Sequence, residues 1–243
     1  MIKAVVFDVG DTLFIPERPW LEVLPRALDA IYAYAKENGL ELPSDEFMGH
    51  NKAVFESYLE LENDSDIDIP DLTKYQYLLR ELFANRSEDE ITIMAAKMND
   101  VFWSFINANW ALRTEAPESL QDLRSMGISM GIISNHHNHE ALLSLLEEHG
   151  ILDYFGVVLS SEQEGVRKPN PEIFRKCLSQ MGVDASQALY VGDSAERDVG
   201  GARAAGMTSI LIRADDDAAQ GNPDFRIGDL TEIARIAGEL NAS

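Results

Sequence analysis

From about Pro117 to its end, the chain alternates between short apolar runs and amphipathic segments, and this rhythm limits its possible folds more than any other feature. "SMGIIS", "GVVLSS", "ALYVGD" and "TSILIR" have the length and composition of strands. Between them stand "HEALLSLLEEHG", "PEIFRKCLSQMG" and "ERDVGGARAAG", which have helical spacing. Proline and glycine punctuate the elements: Pro117 lies near the start of the helix "PESLQDLRSMG", Gly127 just past its end, and Gly150 closes the next helix. A last helix is predicted from about Leu230 to Leu240. With residues 3 to 7 as the first strand, at least five strands are separated by helices, the pattern of a parallel sheet covered on both faces. The expected fold class is α/β.

Residues 15–113 interrupt the rhythm. "PWLEVLPRALDAIYAYAKENG", "DEFMGHNKAVFESYLELE", "TKYQYLLRELFAN" and "SEDEITIMAAKMNDVFWSFINANW" all show helical spacing, with no convincing strand among them. The expected organisation is a core of residues 1–14 and 114–243 carrying a helical insert over 15–113. The acidic stretch "ENDSDIDIPD", residues 62 to 71, is expected to be a solvated loop between helices; it lacks the turn glycine and ligand ladder of a calcium loop. The single cysteine, Cys177, excludes an intrachain disulfide and is expected to be a small buried apolar residue. The N-terminus has no basic-then-apolar leader, and no run approaches the roughly 18 apolar residues of a membrane span, so a soluble cytoplasmic protein is expected. Its oligomeric state is open between monomer and homodimer.

Charge narrows the partners. With 42 acidic against 20 basic residues and a formal net charge of -22, the chain repels nucleic-acid phosphates and anionic lipid surfaces, so neither is an expected partner. A small anionic substrate is also repelled, and any phosphate site here needs a local cation.

Ligands of open parallel sheets bind beyond the carboxyl ends of the strands. Polar residues recur at those positions: Asp8 after the first strand, Ser134 and Asn135 after "GIIS", Lys168 in "GVRKPNP", and Asp193 after "LYVG", with Asp198 beyond it. Asp8 and Asp193 make an oxygen-rich pocket suited to Mg2+. That ion and Lys168 would supply the missing positive charge, and Ser134 with nearby backbone N–H groups could hold a phosphoryl oxygen. Asp8 is then placed as a carboxylate nucleophile.

In this order and spacing, "FDVGDTL", "IISN", "RKPNPEIF" and "VGDSAERDVGGARAAGM" resemble the four motifs of the haloacid dehalogenase-like (HAD) hydrolase superfamily, over residues 1 to 14 and about 114 to 230. The resemblance implies a Rossmann-like core, with the helical insert as a cap domain that selects the substrate. It also implies Mg2+-dependent hydrolysis of a small phosphorylated metabolite through an aspartyl-phosphate. Carried onto this chain, it makes Asp8 the nucleophile and a metal ligand, and Ser134 the phosphate binder. Lys168 becomes the cation bridging nucleophile and phosphate, Asp193 the acidic metal ligand, and Asp198 the acid supporting Lys168 or the metal shell. Asn135 joins Ser134 and Lys168 in substrate binding.

The first motif departs from the family pattern Asp-x-Asp-Gly-Thr. Here glycine and aspartate are exchanged: Gly10 offers a carbonyl to the metal but no proton to the leaving group, a loss worth about a hundred- to ten-thousand-fold in rate for poor leaving groups. Asp11 could turn into the site, or be a helix cap or a solvent-facing loop carboxylate. The missing acid could instead come from the cap, His136 or His137, or the substrate could need none. Two alternatives to a phosphatase stand: a non-catalytic protein that binds metal and phosphate, and a 2-haloacid dehalogenase. The latter also lacks the second aspartate but has no need of the acid pair in "GDSAERD".

Other groupings have plainer readings. The histidines of "SNHHNHE" suit a strand-to-helix loop in which His139 begins the helix, and a shared histidine metal is the lesser reading. Phe102, Trp103, Phe105 and Trp110, on an apparent helix, read as packing residues, with a substrate-facing tryptophan as the alternative.

Overall fold

The computed structural model describes residues 1–65, 67–212 and 222–242. Strand β1 (Ala4–Phe7) is apolar and buried at every position, as the centre of a sheet covered on both faces requires. After β2 (Phe14–Pro16) come helices α1 (Trp20–Glu37), α2 (Ser44–Ser65), α3 (Asp71–Leu82) and α4 (Glu88–Asn107), then β3 (Trp110–Leu112). Helices and strands then alternate through α5 (Ala116–Ser125), β4 (Ser129–Ser134), α6 (His139–Glu148), β5 (Phe155–Ser160), α7 (Ser161–Glu164), α8 (Pro171–Met181) and β6 (Ala188–Gly192). A π-helical turn, Ala195–Gly200, runs into α9 (Gly201–Ala204), followed by β7 (Thr208–Ile212), β8 (Phe225–Ile227) and α10 (Glu232–Ala242).

The main sheet has six strands in the order β5-β4-β1-β6-β7-β8, and every pairing is parallel. This is the α/β, Rossmann-like class. Because β4 and β6 flank β1 on opposite sides, the strand order reverses at β1, and a crevice opens at the carboxyl ends of these strands. Leu120, Leu142 and Ile233 belong to one large apolar cluster, and Ile173, Phe174 and Leu178 to another. Local signals place the elements: Asn138 caps α6 by accepting from Ala141 N–H, and α8 starts on Pro171 behind the Asn170 cap and stops at Gly182. Among the described residues no helix is long and apolar enough to cross a membrane.

Helices α1–α4 enclose an apolar cluster of their own, which includes Ile31, Phe47, Tyr75, Leu78 and Met98. Contrary to the all-helical expectation for residues 15–113, the chain enters and leaves this layer through an antiparallel ribbon in which Phe14 pairs with Leu112 and Pro16 with Trp110. Three-residue strands are too short for a periodicity to show, and Trp110 therefore lies on a strand rather than on a helix. Likewise "ERDVGGARAAG" is a π-helical turn followed by a short α-helix, and β8 adds a strand that the rhythm did not mark.

The acidic stretch 62 to 71 is not a solvated loop. Helix α2 continues through Ser65, and Glu62, Asp68 and Asp71 are buried. Cations and donors from distant segments explain this: Glu62 pairs with Lys74 at 2.9 Å and with Arg167 at 3.2 Å, and Asp68 accepts from Ser161 Oγ at 2.6 Å and faces His137 Nδ1 at 3.1 Å. Burial opposes charge on both Asp68 and His137. The bonds from His137 and Ser161 nevertheless hold Asp68 below its ordinary value, and Asp68 with Asp71 lifts His137 above 6.5. A raised histidine contributes stability that is complete below its unfolded value and lost as pH rises through the folded one. His137→Asn should therefore cost about 1–2 kcal/mol at pH 6, with the gap to the unsubstituted protein closing as the solution is made alkaline. A gap in urea unfolding that stays constant with pH would show that the pair is not charged.

Candidate active site

The crevice beyond β1, β4 and β6 is a cavity of about 270 Å³ whose wall includes Asp8, Gly10, Ser134, Asn135, Lys168, Asp193 and Asp198. Residues up to 190 positions apart in the chain are thus brought to one place. Asp8 follows β1 and is buried; its Oδ1 accepts from Lys168 Nζ at 2.6 Å and its Oδ2 from Thr12 Oγ1 at 3.3 Å. Lys168 also donates to Asp198 Oδ1 at 2.7 Å and to the Tyr190 hydroxyl at 3.0 Å. Asp198 has both oxygens engaged, Oδ2 accepting from Ser194 N–H at 2.9 Å and Oδ1 from Lys168. It reaches this position only because residue 192 is glycine: a Cβ there would stand 2.3 Å from Asp198 Cγ. Asn135 does not turn its amide to the cavity alone. It clamps the Lys168 backbone, accepting from Lys168 N–H at 2.8 Å and donating to the Lys168 carbonyl at 2.9 Å.

Electrostatics set what this cavity can bind. Burial pushes the Asp8 carboxyl up to about 7; Lys168 opposes the rise, while Asp198 and Asp193 add to it. Burial, Asp198 and Asp11 likewise raise Asp193. The Lys168 pKa is raised as well, which here favours the charged form: burial disfavours its charge, but Asp198 and Asp8 more than compensate and keep it protonated. Carboxylate oxygens of Asp8, Asp193 and Asp198 lie within 4.8 Å of one another, an excess of negative charge that one lysine does not balance. That donor set fits a hard divalent cation. Asp8 and Asp198 both hold Lys168, and Asp193 does not; Asp193 with Asp8, at the ends of neighbouring strands, would be the ligands. The Gly10 carbonyl is free of the local turn, whose N–H groups at Thr12, Leu13 and Phe14 all go to the Val9 carbonyl.

Comparison with known proteins adds independent information. A family model described as haloacid dehalogenase-like hydrolase matches residues 2–206. The chain belongs to this family. It is 29% identical to the glyceraldehyde 3-phosphate phosphatase of Methanopyrus kandleri, with 99% of each chain covered. It is 28% identical to the ribulose-1,5-bisphosphate 5-phosphatase of Halopiger xanaduensis, covering 97% of this chain and 99% of that one. The crystal structure of a 2-haloacid dehalogenase from Pseudomonas syringae superposes with a TM-score of 0.75 at 24% identity, over 99% of this chain and 100% of that one, a likeness of fold.

In the first motif, position 10 lies against an indole. A Cβ on Gly10 would lie 3.2 Å from Cη2 of Trp110 and 3.4 Å from its Cζ2. Trp110 is braced edge-on by Trp20, 5.0 Å away between ring centroids. An indole from β3 thus covers the place a side chain at position 10 would enter. Asp11 takes the left-handed backbone conformation, φ 57°, which aspartate tolerates better than most residues. It sits exposed at the cavity rim, and because β2 follows rather than a helix, the helix-cap reading falls.

Sequence reasoning missed several of the residues gathered here. Tyr190 reads only as an apolar strand position, yet its hydroxyl touches Lys168 and lies 3.1 Å from Asp198 Oδ1. Trp20, Trp103 and Trp110 line the cavity, although packing was the plainer expectation for the latter two. The three histidines diverge: His139 meets Ser160 Oγ at 3.1 Å, His137 meets Asp68, and His136 joins the cavity wall, so they form no shared metal site. The oxygen and nitrogen atoms of Glu62, Asp68 and His137 do converge, but Lys74 and Arg167 already neutralise Glu62.

Proposed function

We propose that this HAD-like hydrolase is a Mg2+-dependent phosphatase of a small phosphorylated metabolite, with Asp8 as nucleophile and residues 15–113 acting as a cap over a core formed by 1–14 and 114–243. One observation carries the reading: a carboxylate at the end of the central strand is held by a buried lysine and faces a cavity whose acidic lining needs a cation before a phosphate can enter. The phosphatase names of the relatives support the same class of substrate.

Asp8 attacks phosphorus as the bond to the ester oxygen breaks, and the leaving alkoxide takes a proton from water. A second water attacks the phosphorus of the acyl phosphate, breaking its bond to Asp8 and releasing free phosphate and a proton to the hydroxide left behind. Lys168 fixes the carboxylate in line and offsets phosphoryl charge, Asp198 and Tyr190 hold Lys168, and Asn135 sets its backbone. Ser134, buried at the end of β4, offers its hydroxyl to a phosphoryl oxygen. Asp8, Asp193 and the Gly10 carbonyl would hold Mg2+, which supplies Lewis-acid stabilisation of the phosphoryl oxygens.

The decisive experiment measures phosphate release from sugar phosphates, nucleotides and acyl phosphates with magnesium and with a chelator, beside halide release from 2-haloacids. Phosphate release that collapses on chelation is expected. Halide release insensitive to chelation would replace this reading with a dehalogenase, and no release of either with retained magnesium binding would replace it with a binding protein.

A further inference from the structure

The catalytic cavity of about 270 Å³ has a neighbour of about 420 Å³, lined mainly by helices α1–α4, with Leu24, Phe55, Leu59 and Phe102 in its wall. Trp20 from α1, and Trp103 and Ile106 from α4, belong to the walls of both cavities, so each of the three touches both spaces. Trp103 and Ile106 are buried. Ring contacts brace this partition. Trp20 meets Trp110 edge-on, and Trp103 stacks on His136 at 4.1 Å between centroids and meets Phe102 edge-on at 5.7 Å. The second cavity is mostly apolar, because Glu62 and Asp71 in its wall are buried and already paired with Lys74, at 2.9 and 3.2 Å. Trp103 also borders a third hollow, whose Asp100, Glu140 and Glu148 suit an apolar chain poorly; Trp20 and Ile106 do not border it.

Resting on the phosphatase reading, we infer that Trp20, Trp103 and Ile106 are specificity-determining residues, which close the catalytic cavity to long apolar leaving groups and confine its substrates to phosphates of small ones. At about 30 Å³ for each water-sized group, the catalytic cavity has room for about nine. A phosphoryl group takes about four of these places, which holds the leaving group to about five non-hydrogen atoms. A longer apolar chain finds no further apolar surface on the core side, where Asp8, Asp193, Asp198 and Lys168 line the cavity, or at the rim, where Asp11 and Arg197 are exposed. The apolar space that would reward it lies behind the partition.

The test measures kcat/KM for acetyl, butyryl, hexanoyl and octanoyl phosphate, above the background given by Asp8→Asn. Their leaving carboxylates are alike in acidity and need no proton, so chain length is what varies. In the unsubstituted enzyme kcat/KM should be highest for acetyl or butyryl phosphate and at least about tenfold lower for octanoyl phosphate. Ile106→Ala and Trp103→Ala join the two cavities and should each raise the octanoyl-to-acetyl ratio at least about tenfold, since a methylene buried in apolar surroundings is worth about fourfold. Leu145→Ala removes bulk from the catalytic wall but not from the partition, and should leave the ratio low. A ratio of two constants on one preparation cancels the active fraction, so partial misfolding cannot imitate the effect. An octanoyl-to-acetyl ratio of one or more in the unsubstituted enzyme, a ratio unmoved in both partition variants, or an equal rise in Leu145→Ala overturns this inference alone. No phosphate release from acetyl phosphate above the Asp8→Asn background brings down the phosphatase reading and this inference with it.

Discussion

Asp8→Asn should reduce phosphate release by at least about 10⁴-fold, the scale on which removing a covalent nucleophile acts when the rest of a site stays in place. The amide keeps the size of the carboxylate but cannot form the acyl phosphate. The same substitution should not unfold the protein. A carboxyl raised from its ordinary value to about 7 contributes stability that is complete below its unfolded value and lost as pH rises through the folded one. At pH 8, without metal, the Asp8 charge is therefore a net burden, and Lys168 retains Asp198 and Tyr190 when it is removed. The thermal midpoint of metal-free Asp8→Asn at pH 8 should equal or exceed that of the parent. Substantial turnover by a folded Asp8→Asn protein would mean that another group attacks phosphorus.

The second large effect concerns the cation beside Asp8. Lys168 is buried, with ion pairs to Asp8 at 2.6 Å and Asp198 at 2.7 Å, so Lys168→Met leaves two buried carboxylates without a counter-charge. Breaking such a cluster costs about 3–5 kcal/mol, whereas replacing the whole group by neutral residues is far less harmful. The cost should be larger at pH 8 than at pH 5.5, because Asp8 can take up a proton at the lower pH. Adding Asp198→Asn to Lys168→Met should recover most of the stability. Turnover should stay depressed by about 10²–10³-fold in both variants, since neither restores a positive charge beside the phosphoryl group. If Lys168→Met unfolds at the same urea concentration as the parent at both pH values, the lysine does not balance these acids.

The order of events in the chain explains why the core could be read in advance. A strand buried on both faces must be apolar throughout, as β1 is, and the residue that ends it must turn toward solvent or a ligand. Asp8, Ser134 and Asp193 occupy such ends, so their convergence follows from parallel strands lying side by side. Lys168 comes from a loop, and only its setting in "RKPNP" marked it. For the helical layer the same reasoning stopped at periodicity. A helix records which of its faces is apolar but not which distant cation meets its acids, and Glu62, Asp68 and Asp71 therefore read as solvated until Lys74, Arg167 and His137 were seen against them.

By itself, then, the sequence determined the α/β class, the family and the strand ends at which acids and a lysine would gather, because period and punctuation are local properties of a chain. Tertiary structure alone decided that Trp110 stands over Gly10, that Asn135 grips the Lys168 backbone, and that His136 stacks on Trp103. Those are contacts between segments remote in the sequence, where a few ångströms of packing and not the identity of any residue separates a wall from a binding group.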